Sequence, residues 1–150
     1  MTAAELWKEY KREHPESADD YEAWSFGDSA EMADELLELV LTGDKTATCC
    51  NYTLAKEQGE DLAKPGQLNI LLDGQEKAKA IIETTHVEVV RFNEVTEAFA
   101  RLEGEGDLSL SYWRQEHEAF FTREWKEAGG SFSSDMLVFC EVFKVVHRRD

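Results

Sequence analysis

Cysteine is scarce in this chain of 150 residues, which contains only Cys49, Cys50 and Cys140. An odd number of cysteines, two of them adjacent, does not form a disulfide framework, and their spacing is not that of a zinc site. This cysteine usage is typical of proteins that work in a reducing compartment.

Basic residues are also few. Lysine and arginine total 16 against 32 aspartates and glutamates, which gives a formal net charge of -16. A charge of this sign repels polyanions at long range, so we expect no tight non-specific binding to long RNA and no binding to double-stranded DNA. A neutral nucleoside escapes this repulsion. The same charge balance also leaves open an interaction domain whose acidic surface meets a basic partner.

Long hydrophobic runs are missing as well. The segment from Glu5 to Asp20 is polar and charged, without an apolar signal core, and no run approaches the length of a membrane span. We therefore expect a cytoplasmic protein that does not bind membranes. Hydrophobic residues make up 42% of the chain, which is the composition of a globular protein, and the length suits one domain.

Alternating helix and strand patterns predict an α+β fold. Residues 3 to 13 predict a short amphipathic helix, followed by an acidic connector to residue 20, and residues 21 to 150 form the main domain. In that domain a second helix begins near an Asp28 cap and ends at Gly43. The other predicted elements are strands at 46–53, 68–72, 78–92 and 136–146, a hairpin turn at Asp73-Gly74, and helices at 95–102 and from about residue 110 to Gly129.

One short motif carries a resemblance to a known family. The run Gly43-Asp44-Lys45-Thr46-Ala47-Thr48 resembles the Gly-x-Lys-Thr-x-Thr signature of the ASCH (activating signal cointegrator homology) family. The likeness extends over residues 20 to 147, with matches at Trp24-Ser25-Phe26-Gly27, Ile82-Glu83-Thr84-Thr85, Glu103-Gly104-Glu105-Gly106-Asp107, Trp113 and His117. It implies a PUA-like mixed β-barrel surrounded by helices, with a cleft floored by the strand that carries the lysine motif.

The resemblance also implies an activity. Some bacterial members of the family look like amidohydrolases that remove the acyl group of N4-acetylcytidine, whereas others are thought to bind or cleave RNA. If the amidohydrolase pattern carries over, Thr48 is the nucleophile, Lys45 the base and Glu103 an assisting carboxylate, and no metal or organic cofactor is needed. Where that group carries an arginine two residues beyond the threonine, this chain has Cys50.

These roles set physical conditions. A lysine titrates near about 10.4, so Lys45 acts as a base only where burial in a cleft lowers its pKa. A carboxylate beside it has the opposite effect, which leaves Glu103 to orient the substrate or relay a proton. Lys45 and Thr48 differ in strand parity, so Lys45 must lie in the turn after Gly43 if both face one cleft.

The predicted substrate contacts flank the same motif. Trp24 and Phe26 offer aromatic faces on which a base can stack, and Thr46 and Glu105 complete the predicted substrate-binding set. Trp113 and His117 lie on the apolar face of their helix and are predicted to be packing residues. The alternative to a nucleoside hydrolase is a single-stranded RNA-binding module, or weak ribonuclease, that uses the same cleft.

Overall fold

The structure, a computed structural model, describes residues 1–149 and contains five α-helices and five β-strands in that range. The helices are α1 Ala3–Glu13, α2 Ala30–Leu41, α3 Tyr52–Glu57, α4 Glu97–Glu103 and α5 Leu110–Glu127. The strands are β1 Glu22–Trp24, β2 Ala47–Asn51, β3 Leu68–Leu72, β4 Ala78–Arg91 and β5 Leu137–Arg148. A 3₁₀ turn at Phe92–Glu94 follows β4. None of the described helices combines the length and the apolar character that crossing a membrane requires.

All five strands belong to one sheet, in the order β1-β3-β4-β5-β2. The β1–β3 pair is parallel, and the other three pairs are antiparallel. Register shifts interrupt the pairing of β4 with both of its neighbours, and such bulges bend and twist a sheet. The predicted fold class is therefore confirmed: helices surround a curled, mixed PUA-like sheet, which in the described residues is a half-barrel with β1 and β2 at its edges.

Several predicted element boundaries need correction. Helix α4 begins at Glu97 and strand β5 ends at Arg148, each two residues later than predicted, and two further corrections have a local cause. Helix α2 is capped by Ser29, whose hydroxyl accepts a hydrogen bond from the Met32 amide at 3.1 Å, and not by Asp28. Strand β2 ends at Asn51, two residues earlier than predicted, because the Asn51 side chain accepts a hydrogen bond from the Leu54 amide and starts α3.

Helices pack on both faces of the sheet at β3 and β4. On one face Leu6 and Tyr10 of α1 pack against Ile70 and Ile81. On the other face α2 forms a second cluster, whose members are Phe26, Leu37, Val40, Leu71, Ala80, Ile82 and Phe143. Residues of β3 and of the first part of β4, from Ala78 to Ile82, are therefore buried from both sides, whereas β4 is mostly exposed from Thr85 to Arg91.

A third cluster positions α4 and α5 against the first residues of β5. Trp113 and Phe121 of α5 pack with Phe92, Ala100 and Val138. The amide of Thr46 donates to the carbonyl of Leu102 at 2.7 Å, which ties the residue before β2 to the last turn of α4. This link brings the lysine motif next to Glu103.

Candidate active site

Lys45 lies in the turn between α2 and β2. Gly43 follows the helix with a φ of +88°, a conformation that favours glycine, and the amides of Asp44 and Lys45 both donate to the Leu39 carbonyl, at 2.9 and 3.0 Å. Strand β2 begins two residues later, at Ala47. Lys45 therefore meets the condition set by strand parity, since it precedes the regular strand.

The ammonium group of Lys45 is enclosed by acceptors. Its side chain is 1% exposed, and Nζ lies 2.9 Å from Glu103 Oε1 and 3.0 Å from Glu105 Oε2. The Glu103 carbonyl oxygen lies at 3.4 Å. An ammonium group has three protons, and here three oxygen atoms can accept them. Lys45, Glu103 and Glu105, which the sequence analysis had all singled out, thus form one ionic cluster.

The charges of this cluster are mutually stabilised. Burial by itself lowers the pKa of Lys45, but the carboxylates of Glu103 and Glu105 outweigh burial, and the pKa is raised above its ordinary value. Burial raises the pKa of Glu103, but Lys45, His117 and the Trp113 N–H outweigh it and the pKa is lowered. In the unliganded protein Lys45 is therefore an ammonium ion, which is the opposite of what a base requires.

Helix α5 supplies two further contacts to Glu103. Trp113 Nε1 donates to Glu103 Oε2 at 2.7 Å, and His117 Nε2 lies 3.4 Å from the same oxygen. The Trp113 and His117 rings stack, with centroids 4.2 Å apart. Trp113 packs in the core as predicted, but both residues also hold the carboxylate, a role that the sequence reasoning missed.

Gly104 lets the end of α4 approach the turn that carries Lys45. Its φ of +70° ends α4, and a Cβ atom there would overlap the backbone carbonyl oxygen of Asp44. Gly104→Ala should therefore lower the free energy of unfolding by about 2–4 kcal/mol, because left-handed strain and a backbone clash add. Urea denaturation measures this loss.

Gly129 provides a matched control for that prediction. It has a φ of +86°, but nothing lies within 4 Å of a Cβ built there. Gly129→Ala should cost only the strain, about 1 kcal/mol. Equal losses in the two variants would show that the close approach of Gly104 to Asp44 does not matter.

Two cavities meet at Thr48. The smaller, about 110 Å³, is lined by both members of the buried ion pair, Lys45 and Glu103, together with Cys49, His117 and Arg123 among others. The larger is a cleft of about 520 Å³, lined by Glu22, Trp24, Ser25, Phe26, Gly27, Thr48, Cys49, Cys50, Glu60, Asp61, Leu62, Ala63, Gln67, Asn69, Phe139 and Glu141. Four residues line both cavities, so the two adjoin, with the ion pair in the smaller one; these residues are Phe26, Gly27, Thr48 and Cys49.

Glu141 is an acidic residue of the cleft that the sequence reasoning missed. It pairs directly with Thr48 across β2 and β5, which places the two side chains on the same face of the sheet. It is 7% exposed, and its Oε2 accepts a hydrogen bond of 2.7 Å from the Thr84 hydroxyl. Burial raises the pKa of Glu141, although the Thr84 hydrogen bond acts in the opposite direction.

The aromatic pair predicted to bind a base lies at the cleft. The Trp24 and Phe26 rings meet edge to face, with centroids 4.9 Å apart, and Trp24 Nε1 donates to Asn69 Oδ1 at 3.0 Å. Lys45 Nζ lies 5.4 Å from the centre of the Phe26 ring. Thr46, which the sequence analysis placed in the substrate-binding set, is not among the residues that line the two cavities. Its hydroxyl donates a hydrogen bond to the Leu102 carbonyl instead.

The two adjacent cysteines have different surroundings. Cys50 is exposed and lines the larger cleft, whereas Cys49 lies beside the ion pair. Burial and the Glu103 carboxylate raise the pKa of Cys49 well above its ordinary value, so the thiol is protonated. A protonated thiol is a poor nucleophile.

A family model and two solved structures are similar to this chain. A family model described as ASCH domain matches residues 22–147. The fold is similar to that of protein EF3133 from Enterococcus faecalis V583, with a TM-score of 0.89 and 41% identity over 95% of this chain and 86% of that chain. It is equally similar to an ASCH domain from Lactobacillus crispatus JV V101, with a TM-score of 0.89 and 35% identity over 95% and 92% of the two chains. Among curated proteins nothing matches.

Proposed function

Because the chain belongs to the ASCH domain family, we propose that it is a hydrolase that removes the acyl group from the exocyclic amide of an acylated cytidine-type nucleoside, such as N4-acetylcytidine. The observation that carries this proposal is the buried Lys45–Glu103 ion pair in a small cavity that Thr48 also lines and that adjoins the larger cleft. A hydroxyl can serve as the nucleophile of amide hydrolysis, an amine as its base, and a carboxylate as a proton relay.

The resting charge of Lys45 defines the first step. Since Lys45 begins as an ammonium ion, it must lose a proton before it can accept one from Thr48. Glu103 is the natural acceptor, because its Oε1 lies 2.9 Å from Nζ. A neutral substrate that expels water from the cleft favours this transfer, since a less polar environment stabilises the neutral amine and carboxylic acid relative to the ion pair.

The following steps use the same three groups. The Thr48 hydroxyl oxygen attacks the acyl carbon, and its proton passes to the Lys45 amine. As the carbon–nitrogen bond breaks, Lys45 returns that proton to the departing N4 nitrogen, and cytidine leaves. Water then attacks the threonine ester, one of its protons returns to the Thr48 oxygen, and the acyl group leaves as acetic acid, which ionises to acetate in the solvent. Glu103 returns its own proton to Lys45, which restores the ion pair.

The charge of the larger cleft favours an uncharged substrate. Four carboxyl groups line it, from Glu22, Glu60, Asp61 and Glu141, and none of its described lining residues is lysine or arginine. A phosphate group would be repelled there, whereas a neutral nucleoside would not. Trp24 and Phe26 offer ring surfaces to a base, and the buried carboxyl group of Glu141 lies where it can hydrogen-bond to polar atoms at the base edge.

The proposal is tested by incubating the purified protein with N4-acetylcytidine, its 5′-monophosphate and a labelled single-stranded RNA. We expect release of cytidine and acetate, with a kcat/KM for the nucleoside at least about tenfold above that for the monophosphate, which corresponds to about 1.4 kcal/mol of repulsion. Chromatography of the products measures both reactions.

The same experiment discriminates against the alternative. Intact nucleoside together with salt-dependent binding or cleavage of the oligonucleotide would contradict the hydrolase and support an RNA-binding module or ribonuclease. The acidic lining of the cleft argues against that result, because each bound phosphate would approach several carboxylates.

A further inference from the structure

Three side chains with metal-binding atoms converge beside the ion pair. The thiol of Cys49, the carboxylate of Glu103 and the imidazole of His117 each place one such atom within 4.8 Å of the other two. All three residues line the small cavity of about 110 Å³. They come from β2, α4 and α5, so the cluster depends on the tertiary fold and has no signature in sequence spacing.

The hydrogen bonding of His117 directs its Nε2 atom toward Glu103. His117 Nδ1 lies 2.8 Å from the Trp113 carbonyl oxygen, which can only accept, so Nδ1 carries a proton. In this tautomer Nε2 is available as a metal ligand, and it faces Glu103 Oε2 at 3.4 Å. A hydrogen bond from the other ring nitrogen to a backbone carbonyl is also the usual way in which a metal-binding histidine is oriented.

Distances and charge agree with a bound cation. Tetrahedral zinc with bonds of about 2.0–2.1 Å holds its nitrogen and oxygen ligands about 3.3–3.4 Å apart. Glu103 Oε2 and His117 Nε2 already have this separation, at 3.4 Å. Around Lys45, two carboxylates accompany one ammonium, so the cluster carries an excess negative charge that a cation would offset.

We propose that Cys49, Glu103 and His117 form a binding site for a divalent transition-metal ion of the zinc type, whose fourth position faces the small cavity. The mixed sulfur, nitrogen and oxygen ligand set suits zinc rather than magnesium or calcium. Glu103 Oε1 keeps its contact with Lys45 while Oε2 binds the metal. Binding releases the thiol proton of Cys49 to the solvent. The proposal departs from the expectation that the protein needs no metal, and it does not depend on the hydrolase proposal.

Cobalt(II) provides the test, because a cobalt–thiolate bond produces a near-ultraviolet charge-transfer band. Titrating the metal-free protein with Co²⁺ should produce a band that saturates at one equivalent and disappears when one equivalent of Zn²⁺ is added. Cys49→Ser should abolish the band, and His117→Gln should weaken Co²⁺ binding at least about tenfold.

Cys50→Ser is the matched control, since Cys50 is the neighbouring cysteine but lies outside the three-residue cluster. It should leave the band and the affinity unchanged. Absence of a band in the wild-type protein at excess Co²⁺ would overturn the proposal. A band that survives Cys49→Ser would also overturn it. Circular dichroism establishes that each variant is folded, and His117→Gln keeps the test decisive should Cys49→Ser fail to fold.

Discussion

Thr48→Val should reduce the hydrolysis of N4-acetylcytidine at least about 1000-fold, because it removes the only hydroxyl that the proposed reaction uses as a nucleophile. Valine has nearly the shape of threonine and suits a β-strand, so β2 and its pairing with β5 should persist. The loss should appear in kcat rather than in KM, since substrate contacts in the cleft remain. Steady-state kinetics of cytidine release measure the effect.

Thr48→Ser is the matched control. It keeps the hydroxyl and removes a methyl group, so it should retain activity within about tenfold of the wild-type protein. If Thr48→Val keeps turnover while the protein is folded, Thr48 is not the nucleophile, and direct attack by water would replace the acyl-threonine step.

Lys45→Ala should also abolish turnover, because no other described amine lines the small cavity.

Lys45→Met should lower the free energy of unfolding by about 3–5 kcal/mol, the usual cost of removing one partner of a buried ion pair. The variant leaves the carboxylate of Glu103 buried without its countercharge, and that side chain is 2% exposed. Glu105 should contribute less to this loss of stability, because its side chain is 21% exposed and can be hydrated. Urea denaturation followed by tryptophan fluorescence gives the stability.

The double variant Lys45→Met/Glu103→Gln tests the electrostatic cause. Removing both charges should recover a large part of the lost stability, so that the two single changes do not add. Arg91→Met is a surface control, because Arg91 and Glu94 are both exposed and 4.0 Å apart, and it should cost less than about 1 kcal/mol. A double variant as unstable as the sum of its parts would refute this cause.

Periodicity predicted most elements of the fold because the relevant signals are local. Residues 68 to 72 read as an apolar strand and form β3 at those bounds. Gly43 follows α2 in the left-handed conformation expected of a helix-terminating glycine. Asp28 and Ser29 are both good capping residues, so sequence alone could not choose between them. Periodicity could not predict the curl of the sheet, which the family resemblance implied, because the curl depends on register shifts between paired strands.

The family motif predicted the central residues of the site, and two other residues of the site carried weaker signals in the sequence. Lys45 and Glu103 are in contact across 58 residues of sequence, a pairing that the family resemblance implied and that periodicity could not show. His117 carried a usable signal, since it lies four residues after Trp113 on one helix face. Glu141 carried another, because it stands between Phe139 and Phe143 on one face of β5, where a charged residue is unexpected.

Helix α1 bears on where this protein can be shortened. The segment matched by the family model starts at residue 22, yet Leu6 is fully buried and packs on Ile70 and Ile81, and Glu9 contacts both His147 and Arg149 at the end of β5. A polypeptide trimmed to the matched segment would expose the apolar face of the sheet that α1 covers. Exposed apolar patches promote self-association, so removing residues 1 to 13 should lower the solubility of the protein.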